Sequence, residues 1–105
     1  MNETDLMKAI QEDLGHKGFR VFRANVGKIK ITERGKTRYF DTGLPKGFSD
    51  LFAVKDGKIY FIETKVYPNK PTVEQNNFLS AMKRFYGCEG GVAYSVTEAR
   101  RICGV

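Results

Sequence analysis

The period of apolar and polar positions changes several times along the chain, and each change marks an element. Leu6, Ile10 and Leu14 recur every fourth residue, with Met7 and Ala9 alongside, until Gly15 and Gly18 interrupt them. That spacing predicts an amphipathic helix over 3–14, because positions three and four apart share one helical face. Asn2 or Thr4 can cap it, and Glu3 and Asp5 fall in the first turn, where the helix dipole favours negative charge. Phe19 to Arg23 predicts a first strand, broken by Ala24-Asn25-Val26-Gly27. From Lys28 to Thr32 basic and β-branched residues alternate, and Thr37 to Phe40 is expected to return as the second arm of a hairpin. Such a hairpin has Ile29 and Ile31 on an apolar side and Lys28 and Lys30 on a basic one.

After a loop punctuated by Gly43, Pro45 and Gly47, two apolar runs flank Asp56-Gly57. That dipeptide favours a two-residue turn, since both central residues must accept positive φ. The register follows by counting. With Lys55 opposite Lys58, Val54 faces Ile59, Phe52 faces Phe61 and Asp50 faces Glu63. Alternation along a strand puts Lys65 on the side of Glu63 and points Thr64 away. Both faces of this hairpin are apolar, as expected for the buried middle of a sheet covered on two sides.

Tyr67 to Pro71 is a turn with two prolines, and Thr72-Val73-Glu74-Gln75 opens a second helix extending to about Arg84. Phe78, Leu79, Met82 and Phe85 form its inward stripe. Thr72 and Gln75 match a capping box, which alone accounts for both residues. Gly87 ends that helix, Gly91 to Val96 predicts another strand, and Thr97 can cap a short terminal helix through Ile102 with Arg100 and Arg101 exposed. The order is α, three or four strands, α, β, α, an α/β fold with a mixed central β-sheet flanked by α-helices.

At 105 residues the chain is expected to form one domain, 1–105. No apolar run approaches the ~20 residues of a membrane span and the start lacks a secretory pattern, which predicts a cytoplasmic protein with no membrane partner. Cys88 and Cys103 lack metal-site spacing and are expected as reduced, partly buried thiols. His16, the sole histidine, suits a helix end.

Charge is more informative. The net charge is +6, and between Lys17 and Arg38 there are eight cations (Lys17, Arg20, Arg23, Lys28, Lys30, Arg34, Lys36, Arg38) against one acid, Glu33. This density suits a polyanion, although a solvated face or a lysine-protected edge hairpin shares the pattern. The two opposed acids tip the choice. Their Cβ atoms would lie ~5 Å apart, and like charges placed so destabilise a sheet unless something compensates. A divalent cation with oxygen ligands does so, and Glu63 and Lys65 at the end of a buried strand are otherwise costly.

Asp50, a short β-connection and then Glu63-Thr64-Lys65 resembles the PD-(D/E)XK nuclease superfamily. With Glu3, Gly47-Phe48-Ser49-Asp50 and Thr72-Val73-Glu74-Gln75 in order, the chain resembles the VRR-NUC family over most of its length. Ser49 replaces the usual proline before the first aspartate. The resemblance implies a restriction-endonuclease-like core and a metal-dependent, structure-selective DNA endonuclease. It implies Mg²⁺ or Mn²⁺ held by Asp50, Glu63 and the Thr64 carbonyl, and no small organic cofactor. Catalysis is expected from Asp50, Glu63 and Lys65, with Gln75 and Glu3 nearby. Lys65 would orient or deprotonate the attacking water, or neutralise charge on the phosphate. Arg23, Asn25, Lys28, Lys30, Arg34, Lys36 and Lys46 are the candidate DNA contacts. Branched DNA such as four-way (Holliday) junctions or flaps, a homodimer and a bacterial or phage-infected host are further expectations from the resemblance. The alternatives are an inactive nucleic-acid-binding module of the same fold, a restriction- or mismatch-type nuclease acting on ordinary duplex, and a protein that uses the hairpin only structurally.

Overall fold

The computed structural model describes residues 1–105, apart from the side chain of Ile29. Helix α1 spans Glu3–His16, capped by the Asn2 side chain, which accepts the Asp5 N–H at 2.8 Å. It runs two residues beyond the predicted end, through Gly15. Strands β1 (Arg20–Arg23), β4 (Leu51–Lys55), β5 (Lys58–Thr64) and β6 (Glu89–Ala93) form one sheet in the order β1-β4-β5-β6. The first two pairings are antiparallel and β5-β6 is parallel, so the sheet is mixed. Helix α2 (Val73–Tyr86) makes the crossover from β5 to β6 that a parallel pair requires.

The β4-β5 register is the counted one, with Leu51 opposite Ile62 and Lys55 opposite Lys58. Asp56 and Gly57 take φ values of 51° and 76°, the left-handed pair that a two-residue hairpin turn needs. Pleating sorts the apolar runs onto two faces. Leu51, Ala53 and Ile62 join Leu6, Met7, Ile10 and Leu14 of α1, together with Ala93, Ala99 and Cys103, in the main core. Burying each large aliphatic side chain there contributes about 1.5–3 kcal/mol, enough to enforce the register. On the opposite face Phe48, Phe61 and Phe78 pack with ring centroids 4.6 to 5.8 Å apart, and Phe22 stacks on Phe52 at 5.1 Å. This second layer is thinner than expected: no residue of α2 is fully buried, and Phe85 is 70% exposed instead of inward. Helix α2 packs chiefly on β6 at the sheet edge, and its last turn carries Phe85 and Tyr86 into solvent.

Two other expectations need correction. Strand β6 ends at Ala93, and Ser95 rather than Thr97 caps the last helix, α3 (Val96–Ile102), by accepting the Glu98 N–H at 3.1 Å. Arg100 is not simply exposed. It holds Asp13 of α1 through two hydrogen bonds, which keeps the Asp13 carboxyl below its ordinary pKa and ties α1 to α3.

Strands β2 (Lys28–Glu33) and β3 (Lys36–Asp41) form a separate two-stranded sheet, closed by Arg34 and Gly35 at φ 50° and 76°. The expectation of an apolar side resting on Ile29 lies outside the described residues. Ile31 pairs with Arg38, and Phe40 on the same strand face is 59% exposed, so that side is mixed rather than apolar. Cations lie on both faces of this hairpin, with Lys28 and Lys30 on one and Lys36 and Arg38 on the other.

Candidate active site

Asp50 stands just before β4, and its backbone carbonyl accepts the Ala24 N–H at 2.7 Å, which fixes the loop against the end of β1. Ser49 beside it is 1% exposed, and its hydroxyl donates to the Leu51 carbonyl at 2.9 Å. Where the resembled pattern has proline, a buried hydrogen bond therefore restrains the chain.

Glu63 is 1% exposed near the end of β5. Its Oε2 accepts the Asp50 N–H at 3.2 Å and its Oε1 accepts from Gln75 Nε2 at 2.8 Å. Lys65 Nζ lies 3.7 Å from Oε1. Burial first, then the Asp50 charge and a hydrogen bond with that carboxyl, push the Glu63 carboxyl up to about 8, against a weaker pull from Lys65. Glu63 therefore keeps its proton at neutral pH when no cation is present.

Asp50 and Glu63 come together just beyond the last ladder pair, Leu51 and Ile62, through the Asp50 N–H and the Glu63 carboxyl, but Thr64 does not simply point away. Asp50 Oδ2 accepts both the Thr64 N–H, at 3.1 Å, and the Thr64 hydroxyl, at 2.8 Å. Thr64 keeps its place in the ladder opposite Ala93, and it is the Asp50 side chain, just ahead of β4, that reaches it. Gln75 divides its amide: Oε1 accepts the Thr72 N–H at 2.8 Å to close the capping box, while Nε2 reaches Glu63. The approach of α2 that permits this depends on Gly47, at φ 95°, where an added Cβ would lie 2.4 Å from the Glu74 carbonyl oxygen.

Glu3, half-buried in the first turn of α1, shares no hydrogen bond or ion pair with the acid pair among the described residues. The seven candidate DNA contacts Arg23, Asn25, Lys28, Lys30, Arg34, Lys36 and Lys46 are all exposed, and Lys46 Nζ lies 3.5 Å from Glu74. Sequence reasoning missed the roles of Ser49 and the Thr64 hydroxyl. The only available signal was that both are small hydroxyl residues adjacent to the acids.

No cluster of three or more His, Cys, Asp or Glu side chains able to hold a metal ion occurs among the described residues. Two carboxyl groups converge, and burial followed by the Asp50 charge raises the pKa of Glu63. This hard oxygen pair fits Mg²⁺ or Mn²⁺, which commonly take one or two carboxylates and complete their shell with water and phosphate.

No family profile matches the sequence, and no curated protein matches it. A solved structure described as "VRR_NUC domain" superimposes with a TM-score of 0.65 at 19% identity, covering 97% of this chain and 94% of that one. Its overall architecture agrees with the mixed sheet and flanking helices of this chain, which therefore has the fold of that domain.

Proposed function

We propose that the protein is a VRR-NUC family member and a metal-dependent endodeoxyribonuclease that hydrolyses phosphodiester bonds in branched DNA. The observation that carries this reading is the geometry of Glu63, 1% exposed, with the Asp50 N–H at 3.2 Å and Lys65 Nζ at 3.7 Å from its carboxyl oxygens. A carboxylate so placed is costly for folding alone, and strongly perturbed acids collect at reactive sites. Asp50 and Glu63 would hold Mg²⁺ or Mn²⁺ together with the Thr64 carbonyl; when bound, the ion supplies Lewis-acid polarisation of the phosphate and acidifies water. Thr64 holds the Asp50 carboxylate in place through two hydrogen bonds, and Gln75 holds Glu63. Lys65, its side chain 13% exposed, offers its ammonium to charge building on the phosphoryl oxygens or orients the attacking water. Glu3 belongs to this scheme only through the resemblance.

The cationic hairpin β2-β3, with Arg23, Asn25 and Lys46, supports phosphate contacts along a DNA backbone. A homodimer pairing two sites on opposite strands of a junction, in the cytoplasm of a bacterial or phage-infected cell, completes the proposal. Incubating the protein with labelled four-way junction, flap, duplex and single strand, each with Mg²⁺, Mn²⁺ or EDTA, tests it. Cleavage of branched DNA with metal, lost in Asp50→Ala and Lys65→Ala while binding persists, is the expected result. Full cleavage by either variant refutes the site, and salt-sensitive binding without cutting in any metal favours the inactive binding module.

A further inference from the structure

We infer that Tyr67, backed by Tyr94, is a stacking platform for an unpaired nucleobase next to the reacting phosphate; this rests on the proposed nuclease reading and specifies its substrate. Strands β5 and β6 run parallel with Thr64 opposite Ala93, and the Lys65 N–H donates to the Ala93 carbonyl at 3.1 Å. Both strands therefore leave the sheet at the end that carries Glu63, Thr64 and Lys65. Tyr67 follows Lys65 by two residues, and Tyr94 directly follows Ala93.

Their rings stack with centroids 4.5 Å apart and planes 24° from parallel. Tyr94 is anchored at both ends: its hydroxyl donates to the Asn69 carbonyl at 2.9 Å, and its backbone N–H donates to Glu98 Oε1 at 2.7 Å. Tyr67 is 82% exposed, so the ring face turned away from Tyr94 is in water. A lone exposed aromatic ring needs no explanation. This one differs in its rigid backing and its place.

Tyr67 follows Glu63 by four residues, which span at most ~14 Å, so a base one or two nucleotides from a phosphate at the acid pair lies within reach of the Tyr67 ring. Lys70, exposed on the same loop, supplies a cation for a neighbouring phosphate. Inside a duplex both faces of a base are covered by its neighbours. The free face of Tyr67 can therefore take only a base that is unpaired, splayed or at an end, as at a flap or junction.

The chain has no tryptophan, so Tyr67→Trp introduces a single indole whose emission reports stacking. Three probes are titrated in EDTA, where nothing is cut: a DNA hairpin with a single-stranded tail, the same hairpin blunt-ended, and the hairpin with an abasic tail. The tailed hairpin is expected to quench the Tyr67→Trp emission, and the other two to leave it unchanged. Tyr67→Leu should bind the tailed hairpin roughly 5- to 150-fold more weakly, the equivalent of about 1–3 kcal/mol per stacked base, with affinity for the blunt hairpin unaltered. Unchanged emission at saturation by anisotropy, equal affinity in Tyr67→Leu, or binding to none of the probes overturns the inference. Cleavage by the unaltered protein in Mg²⁺ is scored separately. Quenching without cleavage overturns the nuclease reading and leaves the platform standing, whereas cleavage without quenching removes the platform alone.

Discussion

Gln75 Nε2 donates to Glu63 Oε1 at 2.8 Å, tying the first turn of α2 to a buried acid near the end of β5. Because the other amide atom closes the capping box, Gln75→Ala loses a cap and strands a buried acceptor, and should cost about 1–3 kcal/mol. Gln75→Glu keeps the acceptor for Thr72 but sets a second carboxylate against Glu63. Its penalty in urea unfolding should be larger at pH 8 than at pH 5, where Glu63 is protonated and can donate. Equal penalties at the two pH values would show that no charge repulsion with Glu63 acts at this contact.

The Glu63 carboxyl rises from 4.5 to about 8 on folding. Between those values the folded chain holds a proton that the unfolded chain has released, so this group makes stability fall as pH rises, by up to ~1.4 kcal/mol per pH unit. Metal-free protein should lose stability from pH 5 to 8 and Glu63→Gln should lose less, being the more stable of the two at pH 8. Adding Mg²⁺ or Mn²⁺ should flatten the wild-type slope, since the cation takes the place of the proton. Chemical denaturation at three pH values checks this, and parallel slopes for the two proteins would contradict it.

Gly47→Ala should destabilise the protein. A left-handed φ costs roughly 1–3 kcal/mol in a non-glycine residue, and the added methyl meets the Glu74 backbone, which cannot rotate aside. The variant should show a lower unfolding midpoint and, because Gln75 is displaced with the helix, weaker metal-dependent cleavage than its stability alone explains.

Neutralising Lys28, Lys30 or Lys36 to Gln should weaken DNA binding without changing the unfolding midpoint, because these side chains are exposed on a hairpin separate from the main sheet. Each lost phosphate contact should lower the slope of log affinity against log salt by about 0.9 on duplex DNA. Binding isotherms at several salt concentrations decide this; an unaltered slope in the triple variant would place the DNA elsewhere.

Local chemistry made much of this legible in advance. The Asp56-Gly57 turn and period-two alternation carry the β4-β5 register as far as Leu51 and Ile62, and Asp50 meets Glu63 one residue beyond it. The fourfold spacing of Leu6, Ile10 and Leu14 identifies the face of α1 that is buried. The Thr72-Gln75 box marks the start of α2. Each signal depends on residues a few positions apart, or on one tight turn.

What the sequence by itself determined was therefore the set of elements, the central hairpin's register and the neighbourhood of two acids and an amine. Only the tertiary structure decided how those groups are used. The bend of Asp50 onto Thr64, the division of the Gln75 amide, the capture of Arg100 by Asp13 and the exposure of Phe85 all depend on distances between segments remote in sequence. The physical reason is that side-chain alternation holds only inside a hydrogen-bonded ladder and a helical stripe is buried only where another layer lies beneath it. Strand ends and sheet edges escape both constraints, and the acid pair sits at such an end.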